Sequence, residues 1–205
     1  MKKIFFIAGT DTGIGKTYIS CKILQHYNKK GLSTVGLKPV GTGGFIQNGK
    51  IVNEDALLLL ENSSIKLPYE IVNPYSFLPP VSPHIACKNL SAVKISSKLQ
   101  KIIHANNADI YVIEGAGGFQ TPINNHETMA DLSVSLNFPI ILVIAIRLGA
   151  LNHGILTYNA IKKLNLPIHG WVANIIDPDM IAIKENIKFL TQYIEAPLLD
   201  YGSIT

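Results

Sequence analysis

Short apolar runs alternate with amphipathic segments along most of this chain. Runs of strand length cover residues 4–8, 34–37, 109–114, 139–146, 167–176 and 196–199. Helical spacing of apolar positions predicts helices over residues 16–30, 56–60, 91–107 and 152–164, with a last one starting at Asp177. This alternation predicts one three-layer α/β domain over residues 1–205, with a mainly parallel sheet and a site along one edge.

The first apolar run leads directly into a glycine-bearing loop and then a predicted helix. The loop reads Gly-Thr-Asp-Thr-Gly-Ile-Gly-Lys-Thr from Gly9 to Thr17, which is the strand, P-loop and helix pattern of a P-loop NTPase-like fold. Gly13 and Gly15 allow backbone N–H groups to face a polyphosphate. Lys16 would reach the β- and γ-phosphates, and the Thr17 hydroxyl would bind Mg²⁺.

The spacing of this loop departs from the usual P-loop. Five residues, instead of four, separate Gly9 from the Gly-Lys pair, so Thr10 stands where a glycine is expected. A glycine-rich turn without a ligand is the alternative interpretation. The apolar strand before the loop and the Lys-Thr pair after it favour phosphate binding.

Two other predicted strands end in charged residues. Lys38 follows residues 34–37, and we expect it to face the P-loop because the first two strands of such sheets are often neighbours. A strand-end lysine contributes little to a core, so its removal should largely preserve the fold. Glu114 ends the run at 109–114 and is followed by Gly-Ala-Gly-Gly, which resembles a Walker B strand whose carboxylate holds Mg²⁺.

Several segments leave two interpretations open. Residues 53–55 are explained by helix capping, which we favour locally for Asp55. The proline-rich segment 62–90 is irregular and has the length of a lid or wall beside a site. Asn152 is a cap candidate at a helix start that offers free N–H groups to an anion. Asn174, at the end of a strand, would either read a base or cap a turn.

Composition excludes several functions. The chain has 205 residues and no apolar run long enough to span a membrane, and residues 4–8 are too short for a secretory signal, so we expect a cytoplasmic protein. Cys21 and Cys87 are far apart in sequence and outside any zinc-binding spacing. The net charge is +4, but Arg147 is the only arginine, which argues against nucleic-acid recognition.

Taken together, the motifs resemble the dethiobiotin synthetase family, and they occur in the family order over nearly the whole chain. The long P-loop variant is a trait of that family. The matching segments are residues 9–17, 38–40, 55–57, 82–85, 114–118, 148–153 and 170–174.

The resemblance implies an ATP- and Mg²⁺-dependent ligase of biotin synthesis. Its substrates are 7,8-diaminononanoate and CO₂, which react through a carbamate and its phosphorylated form to a cyclic urea. The catalytic residues implied are Thr12, Lys16 and Lys38. The implied Mg²⁺ ligands are Thr17, Asp55 and Glu114, which replaces the capping interpretation of Asp55. Nucleotide binding is implied for Gly13, Ile14, Gly15, Lys16, Thr17, Tyr18, Glu114, Gly117 and Asn174.

The resemblance also implies how the diamine is held. Lys38 and Thr42 would lie at its reactive end, and Gly118 would also bind it. The distal carboxylate would rest on a second subunit of a homodimer, at Leu148, Gly149, Leu151 and Asn152. The family usually has a base-holding loop after residues 196–199, and only residues 200–205 follow here, so we expect Asn174 to recognise the base with less help.

A non-enzymatic nucleotide switch of the partitioning or septum-positioning kind is the main alternative, because it shares this fold. Such switches carry a signature lysine early in the P-loop. The corresponding residues here are Thr10, Asp11 and Thr12, which favours the synthetase.

Overall fold

The five long apolar runs form the strands of one parallel sheet in the computed structural model, which describes residues 2–201. The strands are β1 (Lys3–Gly9), β2 (Thr34–Leu37), β3 (Val40–Gly41), β4 (Phe45–Gln47), β5 (Lys50–Val52), β6 (Tyr75–Ser76), β7 (Ile110–Glu114), β8 (Ile140–Ile146) and β9 (Ile168–Ile175). The helices are α1 (Lys16–Lys29), α2 (Glu54–Asn62), α3 (Tyr69–Val72), α4 (Pro83–Ala86), α5 (Ala92–Ala105), α6 (Met129–Leu136), α7 (Ala150–Lys163) and α8 (Ile183–Tyr193).

The order of strands in the main sheet is β2-β7-β1-β8-β9, and all neighbours are parallel. The expectation that the first two strands are neighbours is therefore wrong, since β7 lies between β1 and β2. All five strands still end at the same edge of the sheet. Ligands of open parallel sheets bind at this carboxyl edge.

The sheet is covered on both faces, which confirms the predicted three-layer α/β architecture. Along β1, Phe5 and Ile7 pack with α1, whereas Phe6 and Ala8 belong to the cluster formed with α5, α6, α7 and α8. The alternation follows from the two-residue period of side chains in a strand. All seven residues of β8 are buried, as expected for a central parallel strand.

A hairpin and a helix are among the elements that were not predicted. An antiparallel hairpin pairs β4 with β5 across Asn48 and Gly49, whose φ angles are +51° and +75°. Helix α6 begins after Thr128, which forms a capping box with Asp131. The hairpin has an Asn-Gly turn and the helix has a Thr-x-x-Asp start. The pattern of apolar positions alone does not show either signal.

Other parts of the chain also differ from the prediction. The last helix starts at Ile183, because Asp177 first forms a turn through Pro178, in which its carbonyl accepts from the Met180 N–H. Residues 196–199 pair with β9 through a single bridge, between Trp171 and Leu198. Segment 62–90 is less irregular than expected, since it contains α3, β6 and α4.

None of the helices within residues 2–201 is both long enough and apolar enough to cross a membrane.

Candidate active site

Strand register places three polar segments side by side at the carboxyl edge of the sheet. Ile7 of β1 pairs with Glu114 of β7, two residues before β1 ends and the P-loop begins. Leu37 of β2 pairs with Ile113, so Lys38 and Glu114 emerge next to each other. The hydrogen-bond ladder of the sheet thus brings the three segments together from distant parts of the chain.

The P-loop adopts the backbone conformation that its glycines allow. Gly15 immediately precedes α1 and has a φ of +83°. A Cβ atom at this position would lie 2.2 Å from Nδ2 of Asn174. The Asn174 amide in turn donates to the carbonyl of Ile14 at 2.8 Å. Only glycine therefore fits between the loop and the end of β9.

Lys16 is buried within this loop and points back across it. Its Nζ donates to the carbonyl oxygen of Asp11 at 2.8 Å, and the residue is 6% exposed. Burial, and secondarily the nearby charge of Lys38, lowers the pKa of Lys16 to about 8. An anionic ligand in the cleft would favour the charged form, because opposite charges stabilise each other in a poorly solvated site.

The predicted metal ligands lie together beside the P-loop. The Thr17 hydroxyl donates to Oε1 of Glu114 at 2.9 Å, and Asp55 lines the same cleft. Oε2 of Glu114 is buried without a hydrogen-bond partner. A buried carboxylate oxygen without a partner is costly unless a cation or water occupies the adjacent space. Two carboxylates and a hydroxyl are oxygen donors of the kind that Mg²⁺ prefers, so the residues fit this ion.

Lys38 lies between the two carboxylates. Its Nζ is 2.5 Å from Oε1 of Glu114 and 3.0 Å from Oδ2 of Asp55, and the residue is 4% exposed. Burial alone would lower the pKa of Lys38, but the two carboxylates outweigh it and raise that pKa. Burial likewise opposes ionisation of Asp55, and Lys38 nevertheless lowers the pKa of its carboxyl. Lys38 is therefore a buried, paired charge, and the premise that a lysine at this strand end contributes little to the core does not hold.

Two clefts adjoin at this edge. The first has a volume of about 300 Å³ and is lined by Thr12, Gly13, Ile14, Gly15, Lys16, Thr17, Lys38, Asp55, Glu114 and Gly117. The second has a volume of about 390 Å³ and is lined by Thr12, Thr42, Pro80, Val81, Ser82, Pro83, Ala116, Gly117, Thr121 and Pro122. Because Thr12 and Gly117 line both, the two clefts are directly adjacent.

Comparison with known proteins bears on what these clefts bind. The family described as "AAA domain" matches residues 3–204. The ATP-dependent dethiobiotin synthetase of Nitrosospira multiformis is 41% identical over 97% of this chain and 87% of its own length. That of Cellvibrio japonicus is 43% identical over 97% of this chain and 88% of its own length.

The chain belongs to the dethiobiotin synthetase family. A ParA family ATPase from Chlorobium tepidum superposes with a TM-score of 0.58 over 97% of this chain and 83% of its own, at 13% identity. So low an identity indicates a shared fold and nothing more. It is consistent with the P-loop NTPase-like architecture expected from the sequence.

Some of the residues expected from the synthetase family lie away from the two clefts. Gly118 lines a neighbouring groove with Thr10 and Asp11. Tyr18 lies at the surface of α1, with its ring 5.2 Å from the Lys22 ammonium.

The remaining group lies at the start of α7, which begins after Gly149 and not at Asn152, so Asn152 is not the cap. Leu148 is 89% exposed, Leu151 is half-buried and Asn152 is exposed. The four residues Leu148, Gly149, Leu151 and Asn152 thus form an exposed turn outside the lining of both clefts.

Three further side chains, those of Asn53, Asp11 and Arg147, hold segments that line the site. Asn53 caps α2 by accepting from the Ala56 N–H, and its Nδ2 donates to the carbonyl of Thr42 at 3.1 Å. Capping in this segment is therefore done by Asn53, which leaves Asp55 free to face Lys38. Asp11 pairs with Arg147 at 3.0 Å. Asp11 could have been suspected because it lies within the P-loop. No local sequence pattern pointed to Arg147.

Of segment 200–205, which bears on base recognition, residues 202–205 lie outside the described residues. Asn174 is 3% exposed, and its Oδ1 has no hydrogen-bond partner.

Proposed function

We propose that this protein carboxylates 7,8-diaminononanoate with CO₂ and closes the product to dethiobiotin, with ATP as phosphoryl donor. The observation that carries the proposal is the junction of the two clefts at Thr12 and Gly117, with Lys16 and Lys38 in the first cleft. Relatives that are 41% and 43% identical are named for this synthetase, which supports the same activity here.

The proposed reaction has three steps. One amine of the diamine attacks CO₂ and loses a proton, which gives a carbamate. A carbamate oxygen then attacks the γ-phosphorus of ATP, and the bond to the ADP oxygen breaks. The second amine attacks the carbonyl carbon of this mixed anhydride, phosphate leaves with the bonding electrons, and loss of a proton completes the cyclic urea.

Positive charge is what the second step requires from the protein. Carbamate and γ-phosphate are both anionic, so their approach is favoured by cations held in place beforehand. Lys16 would donate to the phosphates while it keeps its hydrogen bond to the Asp11 carbonyl, since an ammonium has three donors. Lys38 would turn from its carboxylates to the carbamate. Both ammonium groups are buried, so their attraction for an anion is screened less than at the surface.

Mg²⁺ would be held by Thr17, Asp55 and Glu114. When bound, it would neutralise charge on the β- and γ-phosphates. The backbone of Gly13 to Gly15 would cradle the same phosphates. Asn174 would offer its unpartnered Oδ1 to the amino group of the base, and Tyr18 would lie beside the nucleotide.

The second cleft would hold the diamine. Thr42 would lie near the reactive amines, residues 80–83 would form the outer wall, and Gly118 would contact the diamine from the neighbouring groove that it lines. The distal carboxylate would bind backbone N–H groups at Leu148, Gly149, Leu151 and Asn152 in a second copy of the chain, because the exposed turn of one copy is free to reach the cleft of another. A homodimer would then be the functional unit.

A labelling experiment tests the function. The protein is incubated with the diamine, labelled bicarbonate and MgATP, and we expect label in the cyclic urea together with equal amounts of ADP and phosphate. Lys16→Met should abolish the product, whereas the remote surface change Lys162→Met should not. ATP hydrolysis that needs no diamine and yields no labelled urea would overturn the proposal in favour of a switch. A phosphorylated diamine would indicate a kinase.

A further inference from the structure

Asp11 makes three separate contacts within the first half of the P-loop. Its backbone carbonyl accepts from the Lys16 ammonium at 2.8 Å. Its Oδ1 accepts from the backbone N–H of Thr12 at 2.7 Å, and its Oδ2 accepts from the Arg147 guanidinium at 3.0 Å. The orientation of the Asp11 side chain therefore sets the direction of the peptide that holds Lys16.

Arg147 comes from a rigid neighbour of this loop. It directly follows β8, whose seven residues are all buried. Strand β8 also contacts the loop directly, because the Val143 carbonyl accepts from the Thr10 N–H at 3.2 Å. The carbonyl of Arg147 accepts from the Ala150 N–H at 2.9 Å and so closes the turn before α7. The backbone of Arg147 is thus held on one side by the buried strand and on the other by the turn before α7, while its side chain pairs with Asp11.

The residue type at this position is unusual for the chain. Arg147 is the one arginine among 18 basic residues, and every other basic position is lysine. The surface pairs Lys50–Glu70 and Lys162–Glu195 both use lysine. A guanidinium is planar, always charged and directional in its hydrogen bonds, whereas an ammonium is a compact point charge on a flexible stem. The single arginine thus lies at the phosphate loop, where the direction of a hydrogen bond affects how the loop is oriented.

Stability does not account for this pair. The side chains of Arg147 and Asp11 are 39% and 48% exposed. Exposed ion pairs contribute little to the free energy of unfolding, because water and salt screen them and the side chains lose entropy. The pair can instead matter for the position of the phosphate-binding groups. A small displacement of such a group lowers the rate of phosphoryl transfer without unfolding the protein.

We propose that Arg147 is a positioning residue for phosphoryl transfer. It holds Asp11 so that the Asp11 carbonyl presents the Lys16 ammonium, and the Asp11 carboxylate presents the Thr12 peptide, to the phosphates of ATP. The activity readout of this inference rests on the proposed function, whereas its binding readout requires only that the protein bind ATP.

The test compares Arg147→Met and Arg147→Lys with a control, Lys162→Met. The control also removes one positive charge from an exposed ion pair, that with Glu195 at the other end of α7. Equilibrium binding of ATP, the KM for ATP, the KM for the diamine and the unfolding temperature are measured for each. We expect Arg147→Met to weaken ATP binding and raise the KM for ATP about tenfold, with the diamine KM and the unfolding temperature unchanged. Arg147→Lys should recover part of the loss, since it restores charge without direction.

A double-mutant cycle with Asp11→Asn identifies the partner. If Arg147 acts through Asp11, the double variant Asp11→Asn with Arg147→Met loses no more ATP affinity than the weaker-binding single variant. Additive losses, or ATP binding by Arg147→Met equal to that of Lys162→Met, would overturn the inference. If the wild-type protein makes no urea but the binding cycle behaves as expected, the proposed function fails and the positioning role stands.

Discussion

Lys38 lies where two cations would compete for the same pair of carboxylates. Its ammonium contacts both Asp55 and Glu114, which the proposed function assigns to Mg²⁺. A divalent ion bound by those oxygens would displace the ammonium toward the second cleft. Metal binding and the release of Lys38 for the substrate would therefore be one event, and the lysine would keep the carboxylates neutralised when no metal is bound.

Lys38→Met tests this competition. Removal of the ammonium leaves the buried Glu114 carboxylate and the partly exposed Asp55 carboxylate without their counter-ion, so we expect the free energy of unfolding to fall by about 3 kcal/mol without Mg²⁺. Added Mg²⁺ should stabilise the variant more than the wild type, because no lysine competes for the oxygens. Urea formation should fall at least about a hundredfold, since the carbamate loses its cation. Denaturant unfolding with and without MgCl₂, and the labelling assay, measure the three effects.

The matched control for this change is Lys50→Met. Lys50 also pairs with a carboxylate, that of Glu70, but both side chains are more than half exposed. Its loss should change stability by less than about 0.5 kcal/mol with or without Mg²⁺. An equal gain from Mg²⁺ in wild type and Lys38→Met would contradict competition between the lysine and the metal.

At the scale of elements, strong local signals were sufficient to predict the five long strands and the phosphate loop. The apolar runs before Gly9 and Glu114 are each bounded by turn residues, so their ends were readable within a few positions. The position of β7 between β1 and β2 was not readable, because strand order depends on packing between distant segments. Lys38 still reaches the P-loop region, through Glu114 on the intervening strand.

The site itself was only partly predictable for a related reason. The P-loop and Walker B patterns predicted Thr17 and Glu114 as Mg²⁺ ligands, and the family resemblance added Asp55. Contacts between them, and the burial of Lys38, arise from the register of β2 on β7 and from the placement of α2. No periodicity in the sequence encodes such contacts, and the pairing of Asp11 with Arg147 across 136 positions belongs to the same class.

Helix α2 gives the element scale its own prediction, Asn53→Ala. The Asn53 side chain caps α2 and also holds the Thr42 carbonyl. Loss of the cap should cost about 1 kcal/mol of unfolding free energy. Because α2 carries Asp55 in its first turn, we also expect a several-fold higher Mg²⁺ concentration for half-maximal activity. Thermal unfolding and a Mg²⁺ titration of the synthesis rate provide the two measurements.

Ser91→Ala is the control for that cap. Ser91 precedes α5, and its side chain makes no capping hydrogen bond. The change should therefore leave both stability and the Mg²⁺ requirement close to wild type. An Asn53→Ala protein that is less stable but keeps the wild-type Mg²⁺ requirement would show that the cap does not position Asp55.

At the scale of the whole molecule, the sheet edge joins two binding spaces that different parts of the chain build. The P-loop and α1 line the first cleft, whereas residues 80–83 and the loop after β7 line the second. A switch needs only the first. The second cleft, which shares Thr12 and Gly117 with the first, is the structural feature that a synthetase requires and a simple nucleotide hydrolase does not.

Thr42→Phe separates the two spaces. Thr42 lines the second cleft and not the first, so a larger side chain should fill the diamine space and leave the nucleotide space intact. We expect ATP affinity to stay within about twofold of wild type while urea formation falls at least about a hundredfold, because the diamine no longer reaches the phosphate. Thr42→Ser keeps the hydroxyl and the space, and should retain most of the activity. Equilibrium ATP binding and the labelling assay are measured on both variants. If Thr42→Phe forms urea at the wild-type rate, the diamine binds elsewhere. If Thr42→Phe also loses affinity for ATP, the two clefts are not separable.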